Sequence, residues 1–249
     1  MSELRVGVVG RGRLGTALSG ALRAAGRDVV GPAARGELPS ADAIVLCVPD
    51  AEITAAAAAV ADLAPLVGHT SGATGLGALE PAHADGRFGI HPLQTFTGSP
   101  ADAERFRGCR CAVGGTSADA LDAALGIARS LGMEPFELRD EQRPAYHATA
   151  SIASNFLVAL EAAAEEVAAG AGLDPPEARA ALAPLVRATV DNWASLGPER
   201  ALTGPVARGD ELTVAAQREA VRATAPQLEE LFDVMVERAR ALARHEVTA

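Results

Sequence analysis

The chain has 249 residues, enough for one large domain or two ordinary ones, each with its own core. Apolar residues make up 49% but aromatic ones only 3%, so alanine, valine and leucine must build that core. A formal charge of −10 argues against nucleic-acid and membrane-surface partners, and the chain contains no lysine, only arginine.

Residues 4–9 (LRVGVV) read as a short strand and 13–25 as a helix. Between them lies Gly10-x-Gly12-x-x-Gly15, with Arg11, Arg13 and Leu14 inside the motif. Gly10 permits the tight turn, Gly12 lets backbone approach a pyrophosphate, and Gly15 allows helix and strand to pack closely. The helix N-terminus adds free N–H groups and positive dipole. A strand at 28–31 follows. An NAD site wants an acid at its end, whereas the chain offers Gly31, Pro32 and then Arg35. Arg35, with Arg11 or Arg13, suits the 2′-phosphate of NADP more than NAD. Glu37 is the competing candidate, a carboxylate within reach of a ribose hydroxyl.

Further strands are expected at 43–48, 66–70, 87–90, 110–114 and 135–138, with helices at 51–62 and 117–131. Such alternation predicts an α/β doubly wound parallel sheet, whose ligands lie outside the carboxyl ends of the strands. Those ends are Val48-Pro49-Asp50, then Thr70-Ser71-Gly72, then His91-Pro92. Val48 and Pro49 are therefore expected against the cofactor, and Ser71 and His91 near a nicotinamide. A histidine there either donates a proton to a carbonyl oxygen as hydride arrives, or caps the strand end. His69 is expected to point into the sheet or toward a neighbouring helix.

Three cysteines supply no disulfide framework, and no second Cys/His pair is spaced for zinc, so no metal is expected. An N-terminal strand in place of a signal peptide, with no membrane-spanning apolar run, leads to the expectation of a cytoplasmic protein.

After Asp140 the pattern becomes all-helical, giving a boundary there: 1–140 as the dinucleotide-binding domain and 141–249 as a helical substrate and dimerisation domain. Residues 141–170 read as one long helix stopped by Gly170 and Gly172. Helices near 175–195, 211–223 and 225–245 follow. Within the first, His147, Ser151 and Asn155 are spaced i, i+4, i+8 and share a face, either an interhelical network or the substrate side of a cleft. In the loop 201–210, Asp210 is placed to cap the next helix. Arg208 either binds a substrate carboxylate or pairs with Asp210.

The glycine motif, "GIHPLQTF", "YHATASIASNFLVAL" and "LTGPVARGD" together resemble a family that joins a Rossmann-like domain to the helical domain of unknown function numbered 2520. That resemblance places the chain among 6-phosphogluconate-dehydrogenase-like oxidoreductases, with ketopantoate, pyrroline-5-carboxylate and deazaflavin-dependent NADP reductases as relatives. It implies a nicotinamide-dependent oxidoreductase, usually a dimer through the helical half, and some members reduce ketopantoate. Ordinary ketopantoate reductases use a lysine as general acid with an asparagine one turn later. Asn155 matches the asparagine, but Ser151 stands where the lysine would be, so that mechanism is excluded. Prephenate dehydrogenases resemble this chain in a serine and a His-Pro that fall on Ser71 and His91.

The expectation is an NADP-dependent reductase of a small carbonyl acid, ketopantoate first. In it His91 or His147 donates the proton, Ser71, Ser151 and Asn155 help to form the site, and Arg208 holds the carboxylate. A deazaflavin-dependent NADP reductase and a non-catalytic NADP sensor are the alternatives. A small-molecule substrate and a second copy of the chain are the expected partners.

Overall fold

The computed structural model describes residues 4–34, 36, 37 and 39–246. Seven short strands form one sheet: β1 (Val6–Val9), β2 (Val29–Ala33), β3 (Ala43–Leu46), β4 (Leu66–His69), β5 (Gly86–Pro92), β6 (Arg110–Gly115) and β7 (Glu134–Glu137). Their order is β2-β1-β3-β4-β5-β6-β7. The chain runs from β1 outward to β2, then returns to the other side of β1 as β3. That reversal is the topological switch point at which ligands of doubly wound sheets bind. The fold is therefore a Rossmann-type α/β unit followed by an all-helical one.

Alternation along the strands divides the core between the two faces. Val6, Val8, Val45, Phe88, Ile90 and Val113 pack with α1 (Arg13–Ala24) and α3 (Ala118–Ser130) on one face. Ile44, Leu46 and Val67 pack on the other with α2 (Ile53–Ala59) and the 3-10 turn Leu76–Ala82. With so few aromatics, each one matters. The Phe88 ring fills the space left by Gly68, where an added Cβ would lie 2.3 Å from the ring.

Two expectations about the sheet need correction. It is not wholly parallel: β6 runs antiparallel to β5, and β7 then runs parallel to β6. Strand β5 also extends beyond residue 90, because His91 and Pro92 pair with Ala112 and Cys111 of β6. A proline is tolerated there, where the ladder does not call on its missing N–H.

The expected single helix over 141–170 is broken. A 3-10 turn, Asp140–Gln142, leads into α4 (Arg143–Ala150), a π-helical turn spans Ser151–Asn155, and α5 (Phe156–Ala168) follows. Gly172, at φ +79°, closes it as a left-handed cap. The compact units divide between Ser154 and Asn155, not near residue 140. Composition changes at 140 because helix begins there, but α4 stays with the sheet unit through the buried Arg143.

The second unit contains α5, α6 (Pro175–Leu196), α7 (Pro198–Ala201), α8 (Glu211–Thr224) and α9 (Glu229–Glu246). Bidentate pairs join its helices: Arg179 to Glu165, and Arg218 to Asp233. Its buried apolar side chains among the described residues are small, such as Ala163, Ala178 and Val221, while Phe156, Val158, Leu185 and Trp193 stand exposed. Among the described residues no helix is long and apolar enough to cross a membrane.

Phe88→Ala removes the largest apolar side chain of the sheet core and leaves a cavity above Gly68. The expected loss is about 3–5 kcal/mol, read from the urea midpoint. A loss below about 1 kcal/mol would show that the ring does not hold the two central strands together.

Candidate functional site

The glycine motif builds an anion cradle at the switch point. Gly10 sits at φ +110°, where a Cβ would lie 2.2 Å from the Cys47 carbonyl oxygen. A Cβ on Gly15 would lie 2.0 Å from the Gly10 oxygen, so α1 approaches β1 only because that side chain is absent. Gly12 differs: a Cβ there would meet nothing within 4 Å. It caps α1 without a side-chain hydrogen bond, so the first-turn N–H groups remain available beside open space. A cleft of about 650 Å³ opens from this point, lined by Gly10, Gly12, Arg11, Glu37, Val48 and Pro49 among others. These residues fit a dinucleotide: open space beside Gly12, first-turn N–H donors without a side-chain cap, and an apolar, alanine-rich wall.

At the end of β2, Arg11 donates to the Pro32 carbonyl oxygen (3.1 Å) and pairs with Glu37 (2.7 Å), which also accepts from the Ala34 N–H (2.9 Å). The cation and the carboxylate that compete in the sequence thus hold each other. Arg13 is exposed and Leu14 half-buried on α1, while Arg35 lies outside the described residues.

Three strands along the same edge, His91 closes a second cluster. Its Nδ1 lies 2.7 Å from the Tyr146 hydroxyl, and the two rings meet edge to face at 87°. The His147 ring packs against it with centroids 6.2 Å apart. Phe136 of β7 braces Tyr146 edge-on at 5.9 Å. Gly72 lies under the imidazole, since a Cβ there would come within 2.9 Å of Nε2. Helix α4, reached from β7 through the 3-10 turn Asp140–Gln142, brings Tyr146 and His147 to the His91 ring at the end of β5.

Beneath this cluster Arg143 is buried, its side chain 2% exposed, with its Nε donating to Asp140 Oδ1 (2.7 Å) and Nη1 to the Ser71 carbonyl oxygen (3.3 Å). Asp140 Oδ2 accepts the Leu76 N–H (2.8 Å). Gly89 makes room for the guanidinium, where a Cβ would lie 2.7 Å from Nη2. Ser71 spends its hydroxyl on its own turn, accepting from the N–H groups of Ala73 (3.1 Å) and Thr74 (2.9 Å). Ser71 therefore shapes the loop that carries Gly72. His69, fully buried, accepts the Ser71 N–H at Nδ1 (3.2 Å).

Burial sets the charge state of both histidines. Desolvation first, then the His147 and Arg143 charges, pushes His91 down to about 4. Desolvation and Arg143 push His69 down to about 4. Burial raises the Tyr146 hydroxyl to about 12. The cluster is therefore a neutral hydrogen-bonded pair at ordinary pH. Burial also pushes Cys47 and Cys111 up to about 12, so neither is a ready nucleophile.

The structure brings His91 and His147 together, with the expected strand-end turn Ser71-Gly72 against the His91 ring through Gly72, and adds Tyr146 and Arg143, which spacing alone did not single out. Tyr146 is the only tyrosine in the chain and adjoins His147, the one signal available beforehand. Ser151 opens the π-helical turn. That wider turn spoils the i, i+4, i+8 face on which Asn155 was expected. Asn155 and Arg208 are exposed residues of the helical unit. Asp210 caps α8 through the Thr213 N–H (3.1 Å), as its position predicted.

Unfolded, each histidine takes up a proton near pH 6.5, but folded only near pH 4. The unfolded chain thus binds more protons in that window, so stability is complete above it and falls as pH drops through it. His69→Gln should lower the proton uptake on unfolding between about pH 6.5 and 4 by roughly one, measured by urea titration at several pH values. An unchanged slope would contradict a neutral buried His69.

A search of curated proteins finds no match. Among solved structures, a Bacteroides fragilis protein named as a candidate NADP oxidoreductase matches at TM-score 0.79 and 21% identity, over 96% of this chain and 98% of that one. A Thermotoga maritima protein matches at 0.76 and 25% identity, over 97% and 99%. Plasmodium falciparum pyrroline carboxylate reductase, solved with NADP bound, matches at 0.61 and 13%, over 98% and 99%. These likenesses establish the fold over essentially the whole chain. The family described as Domain of unknown function (DUF2520) matches residues 109–239, more than half of the sequence, and the chain belongs to that family.

Proposed function

We propose that the protein is an NADP-dependent oxidoreductase that reduces the carbonyl group of a small carbonyl acid, with ketopantoate the leading substrate. The observation that carries this reading is the placement of two unlike sites on one sheet edge. The glycine cradle lies at the end of β1, and the His91–Tyr146 pair, with its neutral imidazole, lies at the end of β5. Three strand spacings separate them, roughly 14 Å at 4.8 Å per step, within the length of an extended dinucleotide. The names of structural neighbours support it, since they include an NADP-bound pyrroline carboxylate reductase and an imine reductase.

In this reading Gly10, Gly12 and the first-turn N–H groups of α1 hold the pyrophosphate. Arg11 meets the 2′-phosphate, exchanging Glu37 for it, and Val48 and Pro49 wall the cleft. NADPH, when bound, supplies hydride. His91 donates the proton to the carbonyl oxygen, and Gly72 and Ser71 shape the floor beneath it. Ser151, where the π-helical turn opens on the same unit, is the candidate for orienting the substrate. A second copy of the chain is the proposed partner of the helical unit, whose Phe156, Val158, Leu185 and Trp193 stand exposed. Three free cysteines suit a reducing cytoplasm.

The direct test is NADPH oxidation by purified protein with ketopantoate, against a control without substrate. Turnover is expected, and His91→Ala should lower kcat by about 10²–10⁴ while leaving NADPH affinity within a few-fold. NADPH binding without turnover would remove ketopantoate and favour the deazaflavin or sensor alternatives. Arg11→Ala should weaken NADPH binding by about 10–100-fold and NADH binding little, as loss of a charge-assisted contact requires. Equal weakening of both would overturn the assignment of Arg11 to the 2′-phosphate.

A further inference from the structure

We propose that Tyr146 is a positioning residue for proton delivery at His91: its hydroxyl donates to Nδ1, holds the neutral imidazole in the Nε2–H tautomer, and leaves Nε2–H for the substrate oxygen. This rests on the reductase reading above and deepens it. Four observations converge. The Tyr146 oxygen is 2.7 Å from Nδ1, the geometry of a strong hydrogen bond. Phe136 fixes the phenol ring edge-on, so the hydroxyl is held rather than merely near. Gly72 admits the imidazole face, and no hydrogen-bond partner for His91 Nε2 is found among the described residues. Finally, a phenol is a better donor than imidazole N–H and an imidazole nitrogen a better acceptor than phenol oxygen, which sets the direction of the bond.

The step balances without another reactant. Hydride adds to the carbonyl carbon while the Nε2 proton passes to the oxygen, giving the alcohol. The Tyr146 proton moves to Nδ1 in the same process, leaving a tyrosinate and an imidazole that is neutral again. An alkoxide is more basic than a tyrosinate, so the transfer runs downhill, and Arg143 lies close enough for its charge to favour the tyrosinate. The half-buried hydroxyl then regains its proton from water. The groups facing the pair are His147 and Arg143 on α4, Asp50 after β3, His69 on β4, and Cys109 and Cys111 around β6. With the imidazole held neutral down to about pH 4, an imidazolium cannot be the donor at ordinary pH.

Nitrogen-15 NMR of the full chain, with His91→Gln to identify the resonance, reads the tautomer directly. The wild type should show Nε2–H through the neutral range, and Tyr146→Phe, which keeps the ring against Phe136, should give a mixture or Nδ1–H. The same variant should lower kcat by about 10–100-fold with KM and NADPH affinity within twofold. Retention of the Nε2–H tautomer and of kcat in Tyr146→Phe would overturn the proposal while the reductase reading stood. Failure of the wild type to turn over any carbonyl acid would sink that reading while the tautomer result stood. The wild-type pH profile is a test that needs no variant. Here kcat/KM should stay level as pH rises through about 6.5, whereas a fall there would mark an imidazolium donor and overturn the proposal.

Discussion

A buried guanidinium organises the sheet edge on which everything else depends. Arg143 lies under β5 and β6 in space left by Gly89, and reaches both Asp140 and the Ser71 carbonyl oxygen. Burying an arginine is costly unless its charge is paired and its N–H groups are used, and these contacts meet that requirement. The consequence is architectural: the start of α4 is tied to the loop after β4, and Tyr146 and His147 can only land over the end of β5. Asp140 strengthens the tie by accepting the Leu76 N–H from the same loop.

The same charge has an electrostatic consequence. Arg143 and desolvation act in one direction on His69 and His91, and both favour the neutral ring. In the proposed reductase the site has no lysine to act as a charged acid, since the chain contains none. It replaces a point charge with a hydrogen-bonded pair of neutral groups. In the proposed reaction proton delivery depends on tautomer and geometry, and one imidazole is held by Gly72 below, Tyr146 at Nδ1 and His147 at its side, with Phe136 behind Tyr146.

Much of this was legible in the residues. Alternating short apolar runs and alanine-rich helical stretches gave all seven strands, and Gly10, Gly12 and Gly15 marked the cradle because each position has a separate steric reason. The reversal of β6 was not legible, since an antiparallel pair and a parallel one present the same apolar run. Nor was the π-helical turn at Ser151–Asn155, because local propensity does not distinguish it from α-helix. Composition reports where helix begins, near residue 140, whereas the compact units divide between Ser154 and Asn155, with the buried Arg143 of α4 bonded to the Ser71 carbonyl oxygen of the sheet unit. Tyr146 and Arg143 act through contacts some 55 and 72 residues distant in sequence, beyond the reach of any local pattern.

The central claim is that the cradle at β1 and the imidazole at β5 serve one hydride-transfer reaction. The most direct test is a single-turnover experiment with NADPH deuterated at its transferable position and a panel of 2-oxo acids that includes ketopantoate. The account predicts deuterium on the carbinol carbon of a product hydroxy acid. NADPH that binds in the cradle yet keeps its deuterium across the panel would contradict it.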